Sequence, residues 1–392
     1  MRAKVIGSEH VTEASRRGRR MIEIMPGDIV TASARDSAER LKIDLVDGPI
    51  ERPALVRTDG ATAARRSLYR RNPKWTAPQK QAGQNVRRLN RLAIVGAGGV
   101  GMNVAHMSAN ADIADEIVLT DLVPGLAESI ALDLNHAGGI TRSRSKVIGG
   151  TSLNLIADAQ IVVVTAGRPR TPGMTRADLL NINRRVIQSV AEAIKSVAPN
   201  AVVIVVTNPL DEMTVEMLRA TQFPRNRVLG MAGTLDSSRF RRSLADKAGV
   251  PVSDVEALAL GSHGDEMAPI VSRARIRGRP LTDFLNADAI EDCVKDAITG
   301  GGQVVALRKT GSASLAPAHA VVELIDHMRG ARAGPVPVSV MMDGEYGIED
   351  VVLGVPCHLA MGGLTEVVEI PLQDNEQAQL QEAANAIKAR LG

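Results

Sequence analysis

Short runs of consecutive apolar residues recur from Leu92 onward, separated by segments whose apolar positions follow helical spacing. Runs such as "LAIV", "IVVV" and "VVIVV" lack the polar alternation of a half-exposed strand, so they are typical of strands buried on both faces. The segments between them predict helices over 125–137 and 176–198. This alternation of strand and helix predicts a doubly wound parallel α/β sheet, a Rossmann domain, over 91–235.

After about residue 235 the pattern is mixed, which predicts a second, α+β domain over 236–392 that would bind the substrate. Helices are expected over 236–248, 287–298, 302–310 and 374–390, and strands near 336–342, 351–356 and 364–370.

Residues 1–90 differ from the rest in charge and periodicity. They hold 19 Lys and Arg against 10 Asp and Glu, whereas the remainder holds 28 against 34. A small strand–turn–helix unit is expected over 21–45, with Ser33 as its helix cap. Residues 46–90 lose periodicity and are predicted to be a linker. The sequence therefore predicts a basic, small or partly disordered extension that acts separately from the body.

The composition, 44% hydrophobic and 23% charged, is typical of a soluble globular protein. No apolar run is long enough to span a membrane, and the N-terminus lacks the apolar core of a secretory signal. Cys293 and Cys357 lie far apart without metal-ligand spacing, so we expect reduced cysteines and a cytoplasmic protein. The histidines also lack metal-ligand spacing, and no metal is predicted.

A glycine-rich loop follows the first buried strand and opens a helix. Gly96, Gly98 and Gly101 occupy the G-x-G-x-x-G frame that brings backbone N–H groups and a helix N-terminus to a pyrophosphate. Asp121, at the end of the next strand, can accept both ribose hydroxyls, so NAD is predicted as the cofactor rather than NADP. The residues predicted to bind it in this loop are Gly96, Ala97, Gly98, Gly99, Val100 and Gly101.

Candidate catalytic groups lie in three later segments. The stretch "GSHGDEMAP" places His263 between glycines, which on its own fits either an active-site base or a tight turn. Asp236 and Arg239 lie one helical turn apart, where a carboxylate could orient the imidazole and a guanidinium could grip a substrate carboxylate. The segment "GRPRTPGMTRADLLNIN" adds arginines after a buried strand, and by itself also fits a solvated surface loop.

Six ordered motifs make the resemblance specific. "GAGGVG" with Asp121, "RPRTPGMTRADLLNIN", "VVTNPLDEMT", "GMAGTLDSSRF", "GSHGDEMAP" and "KTGSASLAPA" resemble the lactate/malate dehydrogenase family, and within it the malate dehydrogenases of the lactate-dehydrogenase-like type. The resemblance covers about Leu92 to residue 390. It implies a reversible transfer of hydride between a 2-hydroxy acid and NAD, in a homodimer or homotetramer.

The same resemblance implies roles for individual residues. His263 would accept the hydroxyl proton and Asp236 would be its partner. Arg239 would bind the substrate carboxylate, Arg176 would polarise the carbonyl, and Asn208 would form a hydrogen bond with the substrate. The residues implied in NAD contacts outside the glycine loop are Asn183, Val206, Thr207 and Asn208.

The choice between malate and lactate depends on one position, six residues before Arg176. Lactate enzymes of the family carry an uncharged residue there, and malate enzymes carry Arg, which pairs with the second carboxylate. This chain has Arg170 at that position. The resemblance therefore implies malate and oxaloacetate as substrates, with lactate or another 2-hydroxy acid as the alternative.

The extension over 1–90 leaves three interpretations open. "GDIVTASARDSAERLKIDLV" resembles short modules appended to bacterial microcompartment enzymes and, more loosely, docking domains of 2-oxo-acid dehydrogenases, which implies targeting or docking. A solvated extension without a partner is the second. Nucleic-acid binding, less favoured, is the third, because "AARRSLYRRNPKW" interleaves arginines with Tyr69 and Trp75. A non-catalytic scaffold would need a missing site residue, and all candidates are present.

Overall fold

The computed structural model describes residues 4–48, 86–169, 174, 176–309 and 311–391. The strands in this part of the chain are β1 Val5–Ile6, β2 Met21–Ile24, β3 Ile29–Val30, β4 Asp44–Asp47, β5 Leu89–Val95, β6 Ala114–Thr120, β7 Lys146–Gly150, β8 Ile161–Val164, β9 Val202–Val205, β10 Val228–Gly230, β11 Val255–Glu256, β12 Ala259–Gly261, β13 Met267–Pro269, β14 Arg275–Ile276, β15 Arg279–Pro280, β16 Val336–Asp343, β17 Glu349–Ala360 and β18 Gly363–Val367. The α-helices are α1 Ser8–Arg16, α2 Ala32–Leu41, α3 Gly99–Asn110, α4 Leu126–Thr141, α5 Arg176–Val197, α6 Leu210–Thr221, α7 Gly233–Ala248, α8 Ala287–Arg308, α9 Leu315–Met328 and α10 Asp374–Leu391.

Two compact units make up the described chain. One combines the N-terminal residues 4–48 with Ser237–Leu258 and Pro269–Thr299, and the other holds the residues from 86 to Asp236, Ala259–Ala268 and those from Gly300 onward. None of the helices in the described ranges is both long and apolar enough to cross a membrane.

A single large sheet organises the second unit. Six parallel strands run in the order β7-β6-β5-β8-β9-β10, so the chain reverses its direction of winding between β5 and β8. The central strands β8 and β9 are wholly aliphatic and buried on both faces, with Val162, Val164, Val203 and Val205 inside one core cluster. This confirms the predicted doubly wound sheet, whose carboxyl edge at the reversal is where ligands bind in such folds.

Antiparallel strands from the C-terminal part of the chain continue the same sheet. β16 pairs with β10 through Gly230 and Ser339, β17 pairs with β16, and β12 and β18 pair with β17. α10 packs against β12, β17 and α6. The predicted α+β second domain is thus present, and it brings β12 into the sheet that carries the cofactor strands.

Two helix predictions in this region were incomplete. The helices expected over 287–298 and 302–310 form one continuous helix, α8, because the intervening glycines lower helix stability by only about 1 kcal/mol each relative to Ala and still complete the backbone hydrogen bonds. The helix ends before Lys309, whose φ of 60° is left-handed. α9, over "LAPAHAVVELIDHM", was not predicted at all.

The N-terminal module, residues 5–47, is larger than the unit expected over 21–45. It begins at β1, includes α1, and buries Ile6, Val11 and Ala14 against residues of α2 and its flanking strands. α2 begins at Ala32 and is capped by Thr31, whose hydroxyl accepts the Ala34 N–H at 3.2 Å, rather than by Ser33. Most of the linker expected over 46–90 lies outside the described residues.

The N-terminal module packs on the segment that follows β15. The Arg20 backbone N–H donates to the Phe284 carbonyl, Arg19 forms a β-bridge with Leu285, and Met21 contacts the apolar cluster around Phe284 and Leu285. Glu23 forms an ion pair with Arg277, which also bonds Asp254 at 3.0 Å. These contacts join residues about 260 positions apart, so they were not predictable from local pattern.

We expect Gly18→Ala to loosen the module selectively. Gly18 has φ +70°, and a Cβ there would lie 2.5 Å from the Ala289 Cβ, whereas Gly27, at φ +97°, has open space around it. Both alanines would carry a left-handed backbone strain of about 1–2 kcal/mol. Gly18→Ala alone should therefore speed hydrogen exchange of residues 282–286 severalfold, with Gly27→Ala as the matched control. Equal exchange in the two variants would show that this contact contributes nothing.

Candidate active site

The glycine loop is shaped by close approaches that exclude side chains. Gly96 follows β5 with φ +105°, and a Cβ on it would lie 2.6 Å from the Ala166 backbone nitrogen after β8. A Cβ on Gly101 would collide with the Gly96 carbonyl. Gly98 directly precedes α3, and a Cβ added to it would have no atom within 4 Å. The N-terminus of α3, with Gly99 and Val100 in its first turn, is thus open to an anion.

Asp121 is fixed by backbone donors at the carboxyl end of β6. The Ala97 N–H donates to its Oδ2 at 2.7 Å and the Val123 N–H donates to its Oδ1 at 3.0 Å. Each carboxylate oxygen keeps lone pairs for further donors. The neighbouring Leu122 and Val123 are exposed and uncharged. The residues present therefore fit the diphosphate and the ribose of NAD, and nothing beside Asp121 in the sequence offers a cation to a 2′-phosphate.

His263 and Asp236 form the pair that the sequence suggested. The imidazole Nδ1 lies 2.8 Å from Asp236 Oδ2, with the Asp236 side chain 3% exposed and the His263 side chain 17% exposed. Asp236 is in the first turn of α7, where the helix dipole favours a carboxylate. The tautomer with the proton on Nδ1 fits this contact, because a carboxylate accepts hydrogen bonds, and in that tautomer the ring's lone pair is on Nε2. The turn expected in "GSHGDEMAP" is present, since the Gly264 N–H donates to the Ser262 carbonyl, while the role of His263 as a base stays a prediction.

A second buried carboxylate contacts the same loop from α6. Asp211 accepts the backbone N–H of His263 at 2.8 Å through Oδ2 and the Ser339 hydroxyl at 3.0 Å through Oδ1. Burial raises the pKa of Asp211 to about 6, with the neighbouring Glu212 adding to the rise and the His263 and Ser339 hydrogen bonds opposing it.

The segment predicted to contact NAD after β9 is held by Asn183. Its Oδ1 accepts the Arg168 N–H at 2.8 Å, and its Nδ2 donates to the carbonyls of Arg168, at 3.1 Å, and Asn208, at 2.6 Å. The Thr207 hydroxyl donates to the Ala166 carbonyl at 2.6 Å. Asn183 is 1% exposed, so its amide positions the backbone of both segments, while Asn208 itself is exposed. Val206 is half-buried.

The three predicted substrate arginines are placed to different extents. Arg239 lies on α7, one turn after Asp236, and is half-buried. Arg176 is the first residue of α5, and its side chain lies outside the described part of the structure. Arg170 lies outside the described residues altogether. The roles of all three stay predictions.

Sequence reasoning missed Asp211 and its neighbours. The available signal was "LDEMTVEM", in which two consecutive acidic residues begin a helix whose other positions are mostly apolar. Asp211 and Glu212 are both 1% exposed. Consecutive carboxylates on a buried helix need partners supplied by distant segments, and those partners follow no local pattern.

Both parts of the body match models of one family. The lactate/malate dehydrogenase NAD-binding domain matches residues 90–230, and the lactate/malate dehydrogenase α/β C-terminal domain matches residues 233–392. The chain is an NAD-dependent oxidoreductase of the lactate/malate dehydrogenase family. The resemblance seen in the sequence is confirmed, and the residues before 90 lie outside both models.

Relatives and solved structures agree with this assignment. The chain is 43% identical over 304 residues to a malate dehydrogenase of Trichormus variabilis, covering 78% of this chain and 94% of that protein. The crystal structure of Cryptosporidium parvum malate dehydrogenase matches with TM-score 0.75 and 35% identity, covering 78% of this chain and 98% of that one. The lactate dehydrogenase of the same organism, complexed with lactic acid and NAD, gives the same TM-score, identity and coverage.

Proposed function

We propose that the chain is an NAD-dependent malate dehydrogenase that interconverts (S)-malate and oxaloacetate. The observation that carries the chemistry is the 2.8 Å contact between His263 Nδ1 and Asp236, which suits an imidazole that accepts a proton on Nε2. The similarity to proteins named malate dehydrogenase supports the substrate assignment.

In malate oxidation, His263 Nε2 takes the proton of the C2 hydroxyl, and Asp236 stabilises the imidazolium that forms. When bound, NAD supplies the acceptor for the hydride that leaves C2. Arg239 grips the C1 carboxylate through paired N–H bonds, and Arg176 polarises the carbonyl oxygen as it forms. In the reverse direction the same imidazolium donates its proton to the oxygen of oxaloacetate.

Backbone similarity alone does not separate malate from lactate, since the two Cryptosporidium parvum structures match equally well. The sequence difference that separates them is Arg170, proposed to pair with the second carboxylate of oxaloacetate. Lactate and pyruvate carry one carboxylate and would leave that cation unpaired in a closed site, which is costly.

A steady-state assay of NADH oxidation tests the proposal, with oxaloacetate and pyruvate as competing substrates. We expect kcat/KM for oxaloacetate to exceed that for pyruvate by at least about a hundredfold. A preference for pyruvate would reassign the chain to lactate, and inactivity with both acids would reject the 2-hydroxy-acid assignment.

We propose further that the protein is a cytoplasmic homodimer or homotetramer and that the N-terminal module docks it to a partner, for instance inside a bacterial microcompartment. The support is that residues before 90 lie outside both family models, yet residues 5–47 form their own apolar core. Removing residues 1–48 should leave the oligomeric state unchanged and kcat within about twofold of the full chain. It should abolish co-sedimentation of the enzyme with microcompartments. Loss of turnover would instead assign the module to the enzyme itself.

A further inference from the structure

The loop that carries His263, residues 262–266, is tied to the fold by a buried carboxylate on α6 and a half-buried guanidinium on α10. It connects β12 to β13, and the sheet bonds of those short strands end at Gly261 and begin again at Met267. Between them, the position of the imidazole depends on what holds the loop's backbone. The Asp236 contact is with the side chain of His263.

Asp211 holds the backbone of that same residue. Its Oδ2 accepts the His263 N–H at 2.8 Å, and its Oδ1 accepts the Ser339 hydroxyl from β16 at 3.0 Å. Asp211 is 1% exposed, so its carboxylate is shielded from bulk solvent. The charged and titratable groups that act on it are Glu212 on its own helix and His263 on the loop.

Arg390 of α10 holds the other end of the loop. Its Nη1 donates to Glu266 at 2.7 Å and its Nε donates to Glu212 at 2.6 Å. Glu266 in turn accepts the Ser262 hydroxyl at 3.3 Å. The two adjacent carboxylates of α6 thus reach both ends of the loop, Asp211 directly and Glu212 through Arg390.

From this geometry we infer that Asp211 and Arg390 are positioning residues that set the place of the His263 imidazole, and that Asp211 puts a second buried carboxylate beside it. The inference rests on the proposed function of His263 as proton acceptor. A displacement of a reacting group by about 1 Å costs about 10²-fold in rate. Release of the loop backbone should therefore lower kcat strongly without touching the glycine loop that binds the cofactor.

The test compares Asp211→Ala with Asp211→Asn. The alanine leaves the His263 N–H and the Ser339 hydroxyl without their acceptor, and we expect kcat to fall about 10- to 100-fold, with the NADH dissociation constant within twofold of wild type. Hydrogen exchange of residues 262–266 should become at least severalfold faster. Asparagine can accept the His263 N–H through Oδ1 and donate to Ser339 through Nδ2, so kcat and exchange should return to near wild type.

The asparagine variant also separates positioning from mere stability. It removes a negative charge that favours the imidazolium form of His263. The acid limb of the pH profile of kcat for malate oxidation should therefore move to lower pH. Thr214→Ala is the matched control, because it deletes a buried hydrogen bond to the Leu210 carbonyl on the same helix away from the loop. It should leave kcat, exchange and pH profile unchanged.

Unchanged kcat and loop exchange in Asp211→Ala would overturn the inference. If that variant fails to fold, an acid limb of the kcat–pH profile that stays at its wild-type position in Asp211→Asn would overturn the inference. Arg390→Gln should likewise speed exchange of residues 262–266, and unchanged exchange would remove Arg390 from the proposal. The exchange measurements need no substrate, so they decide the matter even if the wild-type chain proved inactive on oxaloacetate, a result that would reject the proposed function instead.

Discussion

Replacing His263 by Asn should lower kcat by about 10²–10⁴-fold in both directions, because the side-chain amide cannot accept the hydroxyl proton. Asparagine can still donate to Asp236 from its Nδ2, so the buried carboxylate keeps a hydrogen bond and the fold should be retained. NADH should bind as in wild type, since the glycine loop between β5 and α3 and Asp121 directly after β6 are far from His263 in the chain. Steady-state kinetics and NADH fluorescence titration measure the two quantities.

His136→Asn is the control, since His136 is exposed on α4 and has no proposed role. Its kcat should match wild type. If His263→Asn turned over normally while binding NADH, the proton acceptor would have to be another residue, and the Asp236 contact would be only structural.

Replacing Arg170 by Gln should shift preference from oxaloacetate toward pyruvate. The variant loses the cation proposed to pair with the second carboxylate, and it no longer leaves an unpaired charge opposite the methyl group of pyruvate. A charge left unpaired in a closed site costs about 3–5 kcal/mol, which corresponds to roughly 10²–10⁴-fold. The quantity to measure is the ratio of kcat/KM for the two acids.

Arg168→Gln provides a matched control two residues earlier. Its side chain is exposed, and its backbone rather than its guanidinium is bonded to Asn183. The ratio should stay at the wild-type value in this variant. A ratio that moves equally in both variants would assign the effect to the general charge of the segment, and an unmoved ratio in Arg170→Gln would remove Arg170 as the selector.

The parallel half of the fold was predictable because burial on both faces leaves a continuous apolar signal, as in "IVVV" of β8 and "VVIV" of β9. The cofactor loop was predictable for a related reason. Gly96 and Gly101 lie where any side chain would collide with backbone, so the fold requires glycine at both positions and the sequence shows it.

The His263–Asp236 pair was suggested by the residues and made specific by the resemblance, since the two positions are 27 apart and only the fold brings them to 2.8 Å. Asp211, Arg390 and the docking of the N-terminal module on Phe284 and Leu285 were not predicted. Each of these contacts joins two segments that are far apart in the sequence. The local pattern of each segment predicts its own helix, strand or module but says nothing about the contact. Distance along the chain, not weak propensity, explains these omissions.

The pairing of β10 with β16 changes how the two family domains should be regarded. The NAD-binding model ends at residue 230 and the C-terminal model begins at 233, yet Gly230 on one side is hydrogen-bonded to the strand of Ser339 on the other. The boundary between the two family models at residues 230–233 therefore does not divide the sheet. Separating the two parts at this point would expose the unpaired backbone N–H and C=O groups along the edge of β10. An exposed strand edge can pair with another chain and promote aggregation. The two family domains therefore share one continuous sheet.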